Sequence, residues 1–305
     1  METHMMPVAA KLGNNKYLKA ISSGFIAVMA ATIVGSIFTL IGNLPITAWT
    51  NWLAETGLNQ LFALPGQCTT DLIAIYAVFF IAYSLAQSFD VDGAGAGLSC
   101  LVSFFIITGR TAYYTAAATD AATVSAMATT YLGAKGLFSA MIIALVGARL
   151  YVSVVKKGWV IKLPDSVPPN VANSFSSLIP AGIVVILFVV LRFLCTLTPY
   201  GDLHTMIFTI IQSNLMRFIG NNVWSWLFFN LMTNLLWFFG LHGGNIVGSI
   251  TNPIYTPLSL ENLAAFQAGE KAMPYIITGA FGKSFTFGGV GSMFGLAILM
   301  CFFAK

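Results

Sequence analysis

Long apolar runs separated by short polar or glycine-rich breaks make up most of the chain. A helix of about 20 apolar residues crosses a bilayer, and we interpret six runs as spans, at about residues 21–46, 72–89, 94–109, 136–155, 179–197 and 223–241. After residue 242 the apolar pieces are short and are interrupted by prolines and glycines, which is typical of the broken helices of transporters. The pattern predicts an all-α polytopic membrane protein with about seven spanning or re-entrant segments.

The polar segments between the spans predict interfacial helices and loops. Near residues 165–178 the apolar positions fall on one face of a short helix, which fits a helix lying in the membrane interface. An ordinary polar connection fits the same pattern equally well. Residues 199–222 predict a second amphipathic helix, and we expect residues 47–71 and 110–134 to form loops on the outer side.

Composition supports the membrane assignment. The chain is 57% hydrophobic and only 8% charged, with a mean hydropathy of +0.84, whereas soluble domains carry about a quarter charged residues. No short apolar core followed by a small-residue cleavage site is present, so we expect the first run to remain as a helix. The net charge of +4 is attributed to membrane topology, and no nucleic-acid partner is expected.

The basic residues predict which side of the membrane the ends occupy. Lysines precede the first run at residues 11–19, and four cations cluster at the end of the fourth run, in residues 149–162. Because cytoplasmic loops carry an excess of Lys and Arg, both clusters place their ends inside. The N-terminus is therefore predicted to be cytoplasmic in a multi-pass protein.

Cysteine and histidine spacing gives no sign of a metal site. The four cysteines lie in or beside apolar runs without a CxxC or Cys/His pattern, so we interpret them as packing residues. His204 stands alone near a loop, and we interpret it as an interfacial residue. The sequence therefore predicts neither a metal ion nor a cofactor.

The candidate binding site begins where the sixth span breaks into glycines. Trp237 leads into His242, Gly243, Gly244 and Asn245. Such a break at membrane depth is tolerated only where protein or a water-filled cavity satisfies the freed backbone groups, which makes it a candidate substrate site. The alternative is that His242 caps a broken helix, and that Asn245 is a turn residue bonded to the backbone.

Two further polar or glycine-rich positions are candidates for the same cavity. Glu261 and Asn262 either line it or cap a helix. Gly288 and Gly289 are expected to allow close backbone approach at the cavity or between helices. They do not form a phosphate-binding loop, because that motif needs a lysine and a strand-to-helix context.

Several blocks of the sequence together carry a resemblance to a known family. They read Lys-Leu-Gly at 11–13, Ile-Val-Gly-Ser at 33–36, Lys-Leu-Pro at 162–164, Trp-Phe-Phe-Gly-Leu-His-Gly at 237–243, and Gly-Gly at 288–289 behind two phenylalanines. In this order they resemble the enzyme IIC permease subunits of bacterial sugar phosphotransferase systems, in the lactose/cellobiose/diacetylchitobiose branch. The resemblance extends over essentially the whole chain.

The resemblance implies uptake coupled to phosphorylation. An external sugar, a β-linked disaccharide such as cellobiose, lactose or chitobiose, is held by the permease in the bacterial inner membrane and phosphorylated by a IIB partner that IIA recharges. The permease itself then has no catalytic residue, so whether it counts as an enzyme stays open. His242 matches the family's substrate-contacting histidine. Residues 1–198 correspond to a scaffold that holds a homodimer, and residues 199–305 to an incomplete substrate-binding region.

One departure from the family bears on activity. The family carries an Asn-Glu-Pro block whose glutamate contacts the sugar, and no such block occurs in these 305 residues. The resemblance therefore implies a C-terminally truncated permease, and we expect the chain alone not to transport. The alternatives are an inactive permease fragment and an ion-coupled secondary transporter. Because no Asp or Glu lies inside a continuous predicted span, the sequence favours partner-driven uptake.

Overall fold

The structure, a computed structural model, describes most of the chain. The described residues are 14–44, 46–109, 111–114, 123–127, 129–164, 166–220, 222–238, 243–267, 269–270 and 272–279.

The described residues are mainly α-helical, which confirms the predicted all-α class. The helices are α1 (Lys16–Gly42), α2 (Thr47–Thr56), α3 (Leu58–Thr69), α4 (Ile73–Gln87), α5 (Gly93–Thr108), α6 (Leu137–Lys156), α7 (Pro169–Ser176), α8 (Leu178–Thr196), α9 (Leu203–Ile207), α10 (Ser213–Leu215), α11 (Val223–Phe238) and α12 (Gly243–Gln267). Two π-helical turns, Phe208–Gln212 and Met216–Gly220, flank α10.

Four helical stretches among the described residues are long and apolar enough to cross a membrane. They are Lys16–Gly42, Leu58–Gln87, Ala134–Lys156 and Val171–Thr196, and α5 is a shorter apolar helix. The first, fourth and fifth predicted spans correspond closely to α1, α6 and α8. The total of about seven membrane segments stays a prediction, because the residues after 279 lie outside the described part.

The chain forms two compact units, residues 23–211 and residues 212–305 with 1–22. In the first unit α4 lies at the centre and packs against α5 and α6, while α8 covers α5. Ala74, Ala77 and Ile81 on α4 are fully buried. The two alanines let neighbouring helices approach closely, which is how membrane helices associate without a hydrophobic driving force from water.

The ends of α5 are satisfied by side chains. At its start the carboxylate of Asp92 accepts hydrogen bonds from the backbone N–H groups of Ala94 and Gly95. At its end the guanidinium of Arg192, from α8, donates to the carbonyl of Ile106. A positive charge at a helix C-terminus is favourable because the last carbonyls are unpaired.

In the second unit α11 packs against α12. A small core forms where Tyr255 and Leu258 of α12 meet Met216 and Ile277. This core ties the segment after α12 back onto the helix. The domain boundary at residue 198 stays a prediction.

Two predicted loops are wrong in their secondary structure. Residues 47–71 are not a loop, since they form α2 and α3 on either side of Gly57, whose left-handed φ of 73° ends one helix and starts the next. The loop at 110–134 contains a short antiparallel hairpin, Thr111–Tyr114 with Thr123–Ala126. Thr, Tyr and Val are enriched at these positions, and such residues favour strands.

The expectation that the chain breaks repeatedly after residue 242 is also wrong as far as residue 267. Residues Gly243–Gln267 form one continuous helix through Pro253 and Pro257. Each proline removes one backbone donor and crowds the preceding turn, yet membrane helices tolerate this where neighbouring groups compensate. The two prolines are four residues apart, about one turn of the helix, so both disturb the same side.

Candidate functional site

The first group of predicted site residues lies where α11 ends and α12 begins. Trp237 is in the last turn of α11 and is 39% exposed. Gly243, Gly244 and Asn245 form the first turn of α12. His242 lies outside the described residues, and so does the side chain of Asn245.

Gly243 has a packing reason for lacking a side chain. It is buried, and a Cβ at this position would overlap the carbonyl oxygen of Thr233 on α11. The start of α12 therefore lies directly against the backbone of α11. Gly288 and Gly289 lie outside the described residues, so their predicted contribution to the cavity stays a prediction.

The second group lies near the far end of α12 and makes contacts that the sequence did not reveal. The side-chain amide of Asn262 donates to the carbonyl oxygen of Tyr275 at 2.7 Å. Its carbonyl oxygen accepts from the backbone N–H of the same residue at 3.0 Å. Asn262 thus holds the segment after α12 through both halves of its carboxamide.

Ser259 makes a parallel attachment one turn earlier. Its hydroxyl donates to the carbonyl of Tyr255 at 3.1 Å and accepts from the backbone N–H of Gly279 at 3.1 Å. Ser259 and Asn262 are three residues apart and so project from the same side of the helix. Two side chains of α12 therefore fix the segment from Tyr275 to Gly279.

Glu261 is engaged with the phenol of Tyr275. Burial, a hydrogen bond to Glu261 and the charge of its carboxylate together raise the pKa of Tyr275 to about 12. The phenol is therefore the donor and the carboxylate the acceptor over the whole neutral range. Tyr275 is a member of this cluster that sequence reasoning missed, because nothing local marks it.

The two groups lie at opposite ends of one helix. Asn245 and Glu261 are 16 positions apart, which corresponds to about 24 Å along an α-helix. The structure therefore does not bring them together around one sugar ring. The substrate roles of His242, Asn245, Trp237, Glu261 and Asn262 stay predictions.

His204, predicted to be an interfacial residue, is enclosed by other side chains of the protein. It is 1% exposed, with its ring stacked on Tyr131 at a centroid distance of 4.8 Å and edge-on to Phe104 at 5.1 Å. Its Nε2 lies 3.0 Å from the hydroxyl of Thr108. In the described part of the chain no group of three or more potential metal ligands is found.

Three comparisons with known proteins place the chain in a family. The sequence profile of the phosphotransferase system EIIC family matches residues 22–305. The cellobiose-specific EIIC component of Geobacillus stearothermophilus is 36% identical over 100% of this chain and 69% of its own length. The oligo-beta-mannoside-specific EIIC component of Bacillus subtilis (strain 168) is 35% identical over 97% of this chain and 66% of its own length.

A solved structure gives the same result for the fold. The crystal structure of the transporter ChbC, the IIC component of the N,N'-diacetylchitobiose-specific phosphotransferase system, matches with a TM-score of 0.91 at 34% identity. The match covers 100% of this chain and 71% of that chain. The chain thus spans about two thirds of the length of these relatives. It belongs to the EIIC family of membrane permease components of the sugar phosphotransferase system.

Proposed function

We propose that the chain is the membrane part of a sugar-uptake system, in which it binds a β-linked disaccharide and presents it to a phosphorylated IIB partner. The observation that carries this proposal is the match of the whole chain to a diacetylchitobiose IIC component. Other relatives are named for cellobiose and oligo-β-mannosides. What these sugars share is a β-linkage between pyranose rings, and this defines the proposed substrate class.

In this proposal the sugar lies against the start of α12. Trp237 offers a partly exposed aromatic ring for a pyranose face, and His242 and Asn245 supply hydrogen-bond donors and acceptors. Gly243 supports the arrangement by letting α12 start against the backbone of α11. A neutral imidazole is suited to this role because it donates through one nitrogen and accepts through the other.

Glu261 and Asn262 take different roles at the other end of the helix. Both sides of the Asn262 carboxamide are used by Tyr275, so we assign it as a positioning residue. Glu261 shares its carboxylate with the Tyr275 phenol. It is proposed as a polar residue of the transport path at a distance from the sugar bound near Trp237.

In this proposal the partner proteins carry out the phosphoryl chemistry. IIB carries the phosphoryl group and IIA recharges it, while the permease contributes orientation of the sugar hydroxyl. A homodimer held through residues 1–198 belongs to the same proposal, and so does a cytoplasmic N-terminus. The latter is supported by the basic clusters at residues 11–19 and 149–162.

The proposal is tested by measuring the uptake of labelled cellobiose. The bacteria used have no β-glucoside permeases of their own. The chain is expressed with IIA and IIB partners, beside a chimera that continues with the last third of the Geobacillus component. We expect the chimera to accumulate phosphorylated cellobiose only when both partners are present. The chain spans about two thirds of that relative, so the chimera supplies the remaining third in this comparison.

The alternative function has its own signature in the same experiment. Uptake of unmodified cellobiose that survives loss of IIB and stops when the membrane potential is dissipated would establish an ion-coupled transporter instead. Within the chimera, His242→Ala should abolish cellobiose binding. His4→Ala, the matched control outside the proposed site, should leave binding unchanged.

A further inference from the structure

Two cations of α6 share one aromatic ring. The guanidinium of Arg149 lies 4.9 Å and the ammonium of Lys156 5.4 Å from the ring centroid of Phe89, in the turn between α4 and α5. Arg149 and Lys156 are seven residues apart and therefore lie two turns apart on the same face of the helix. The negative face of the ring attracts both cations, which holds two like charges near each other.

The basic surface continues past the end of α6. The ammonium of Lys157 lies 5.4 Å from the ring centroid of Trp159, which is 57% exposed. Lys162 is also exposed. We name Arg149, Lys156, Lys157 and Lys162 the basic cluster.

Carboxylates near the basic cluster do not neutralise it. Asp90 and Asp92 flank the turn that contains Phe89, and the carboxylate of Asp92 is occupied by capping α5. Within the described residues no carboxylate oxygen lies within 4.0 Å of a charged nitrogen of the cluster. Among the described residues, four cations against these two carboxylates leave a net positive surface, and Asp165 lies outside the described part.

The position of the basic cluster in the fold is at the surface of a bilayer. The stretch from Ala134 to Lys156 has 23 residues and a mean hydropathy of 2.0, a length of about 34 Å as a helix that slightly exceeds the hydrocarbon core. Its last turn, which contains Lys156, is therefore at the level of the lipid headgroups. Trp159 is suited to the same level, because aromatic residues with a polar edge concentrate there.

The position of helix α7 gives independent support for placing this end of α6 at the level of the lipid headgroups. Tyr151 of α6 hydrogen-bonds with Ser177 at the end of α7, which brings this helix beside the last turns of α6. Val171 and Phe175 are 44% and 48% exposed, although they are the apolar residues of a short amphipathic helix. An apolar face exposed at the end of a spanning helix fits a helix lying in the interface.

We propose that the basic cluster and Trp159 form a binding site for the headgroup of an anionic phospholipid. The phosphate lies between the cations held by Phe89 and those beside Trp159. A lipid is favoured over a protein partner because the cations continue directly from a membrane-spanning helix and adjoin exposed apolar residues. Such surfaces attract anionic headgroups, and the attraction falls away within a Debye length.

Retention of lipids by the purified full chain tests this proposal. The protein is equilibrated in detergent with equal amounts of phosphatidylglycerol and phosphatidylcholine carrying the same acyl chains, and bound lipids are counted by native mass spectrometry. The variant combines Lys156→Gln, Lys157→Gln and Lys162→Gln. Lys135→Gln removes an exposed cation before the other end of α6 and serves as the matched control.

We expect the wild type and the Lys135→Gln variant to retain phosphatidylglycerol in preference to phosphatidylcholine. In the triple variant this ratio should fall by about tenfold or more. A wild type without the preference, or a triple variant with the wild-type ratio, overturns the proposal. The same holds if the triple variant keeps its lipid ratio and loses binding of purified IIB, since the surface then docks a protein.

A second measurement does not depend on the folding of the variant. On the wild type, raising the salt to about 1 M shortens the range of electrostatic attraction to about 3 Å. Phosphatidylglycerol should then be released while phosphatidylcholine is unaffected. Release of both lipids to the same extent, or of neither, contradicts a site built on charge.

Discussion

Asn262 pairs with the backbone of Tyr275 through both halves of its carboxamide, at 2.7 and 3.0 Å. The two residues are 13 positions apart, and the pairing reproduces the donor and acceptor pattern of a neighbouring strand. A residue predicted to contact sugar therefore has a partner within the chain itself. Its proposed effect on transport acts through the segment that Tyr275 begins.

Replacing Asn262 should loosen that segment. Asn262→Leu removes both hydrogen bonds and leaves the N–H and C=O of Tyr275 without their partner, so we expect a loss of about 1–3 kcal/mol of stability. Asn262→Asp keeps the acceptor but places a carboxylate oxygen against the carbonyl of Tyr275, and should lose at least as much. Thermal unfolding of the purified protein in detergent measures both variants.

The matched control for this prediction is Asn252→Leu, at an exposed position of the same helix. It should leave the unfolding temperature nearly unchanged. If Asn262→Leu behaves like Asn252→Leu, the hydrogen bonds to Tyr275 contribute nothing to stability. Sugar binding by the chimera then decides whether Asn262 is a contact residue.

The apolar pattern of the sequence predicted helices whose extent depends on residues close together in the chain. The helix predicted at 94–109 is observed at Gly93–Thr108, because Asp92 caps its start and Gly109, with a φ of 69°, ends it. Both signals lie within one turn of the helix end. The prediction itself rested on the apolar run between Asp92 and Gly109, and these two residues explain why the helix ends there.

Contacts between distant parts of the chain were not predictable in this way. Thr108 and His204 are 96 positions apart, and nothing near His204 in the sequence indicates that Tyr131 and Phe104 enclose its ring. The prolines of α12 were interpreted as helix breaks, since local propensity disfavours them. Packing against α11 and the core around Leu258 outweighs that propensity.

The buried ring of His204 predicts a dependence of stability on pH. The hydroxyl of Thr108 gives its only proton to the carbonyl of Phe104 at 2.9 Å, so it accepts from Nε2–H of His204. Nδ1 is then the unprotonated nitrogen, and it is buried without a partner among the described residues. Burial lowers the pKa of His204 from 6.5 to about 4, against a smaller opposing effect of Asp202.

The direction of this pH dependence of stability follows from proton binding at His204. Between about pH 6.5 and pH 4 the unfolded chain binds a proton at His204 and the folded chain does not, so stability falls as the pH falls through this window. The loss is up to about 3 kcal/mol. Unfolding temperatures of the wild type and His204→Gln should converge as the pH is lowered from 7.5 to 4.5. His4→Gln should follow the wild type, and a parallel pH dependence for His204→Gln would contradict the assignment.

Gly243 should tolerate no side chain. In Gly243→Ala the new methyl group overlaps the carbonyl oxygen of Thr233, and forcing the helices apart costs about 1–3 kcal/mol. Gly248 lies on the same helix, and a Cβ there meets its nearest neighbour, Asn252, only at 3.5 Å. Gly248→Ala should therefore be neutral or stabilising by up to about 1 kcal/mol. Fluorescence-detected size-exclusion chromatography after heating separates the two outcomes, and equal stability of the two variants would contradict the close approach of α11 and α12.

Gln212 should be replaceable with a gain in stability. Its side chain is fully buried at the end of the first π-helical turn, and neither amide atom has a hydrogen-bond partner among the described residues. An unpaired buried amide costs about 1–3 kcal/mol, and a residue of similar shape without polar atoms avoids that cost. We expect Gln212→Met to raise the unfolding temperature, whereas Gln87→Met, at an exposed position, should not. A lower unfolding temperature for Gln212→Met would show that the amide is paired. Greater stability with lost sugar uptake in the chimera would instead show that the amide is kept for the substrate.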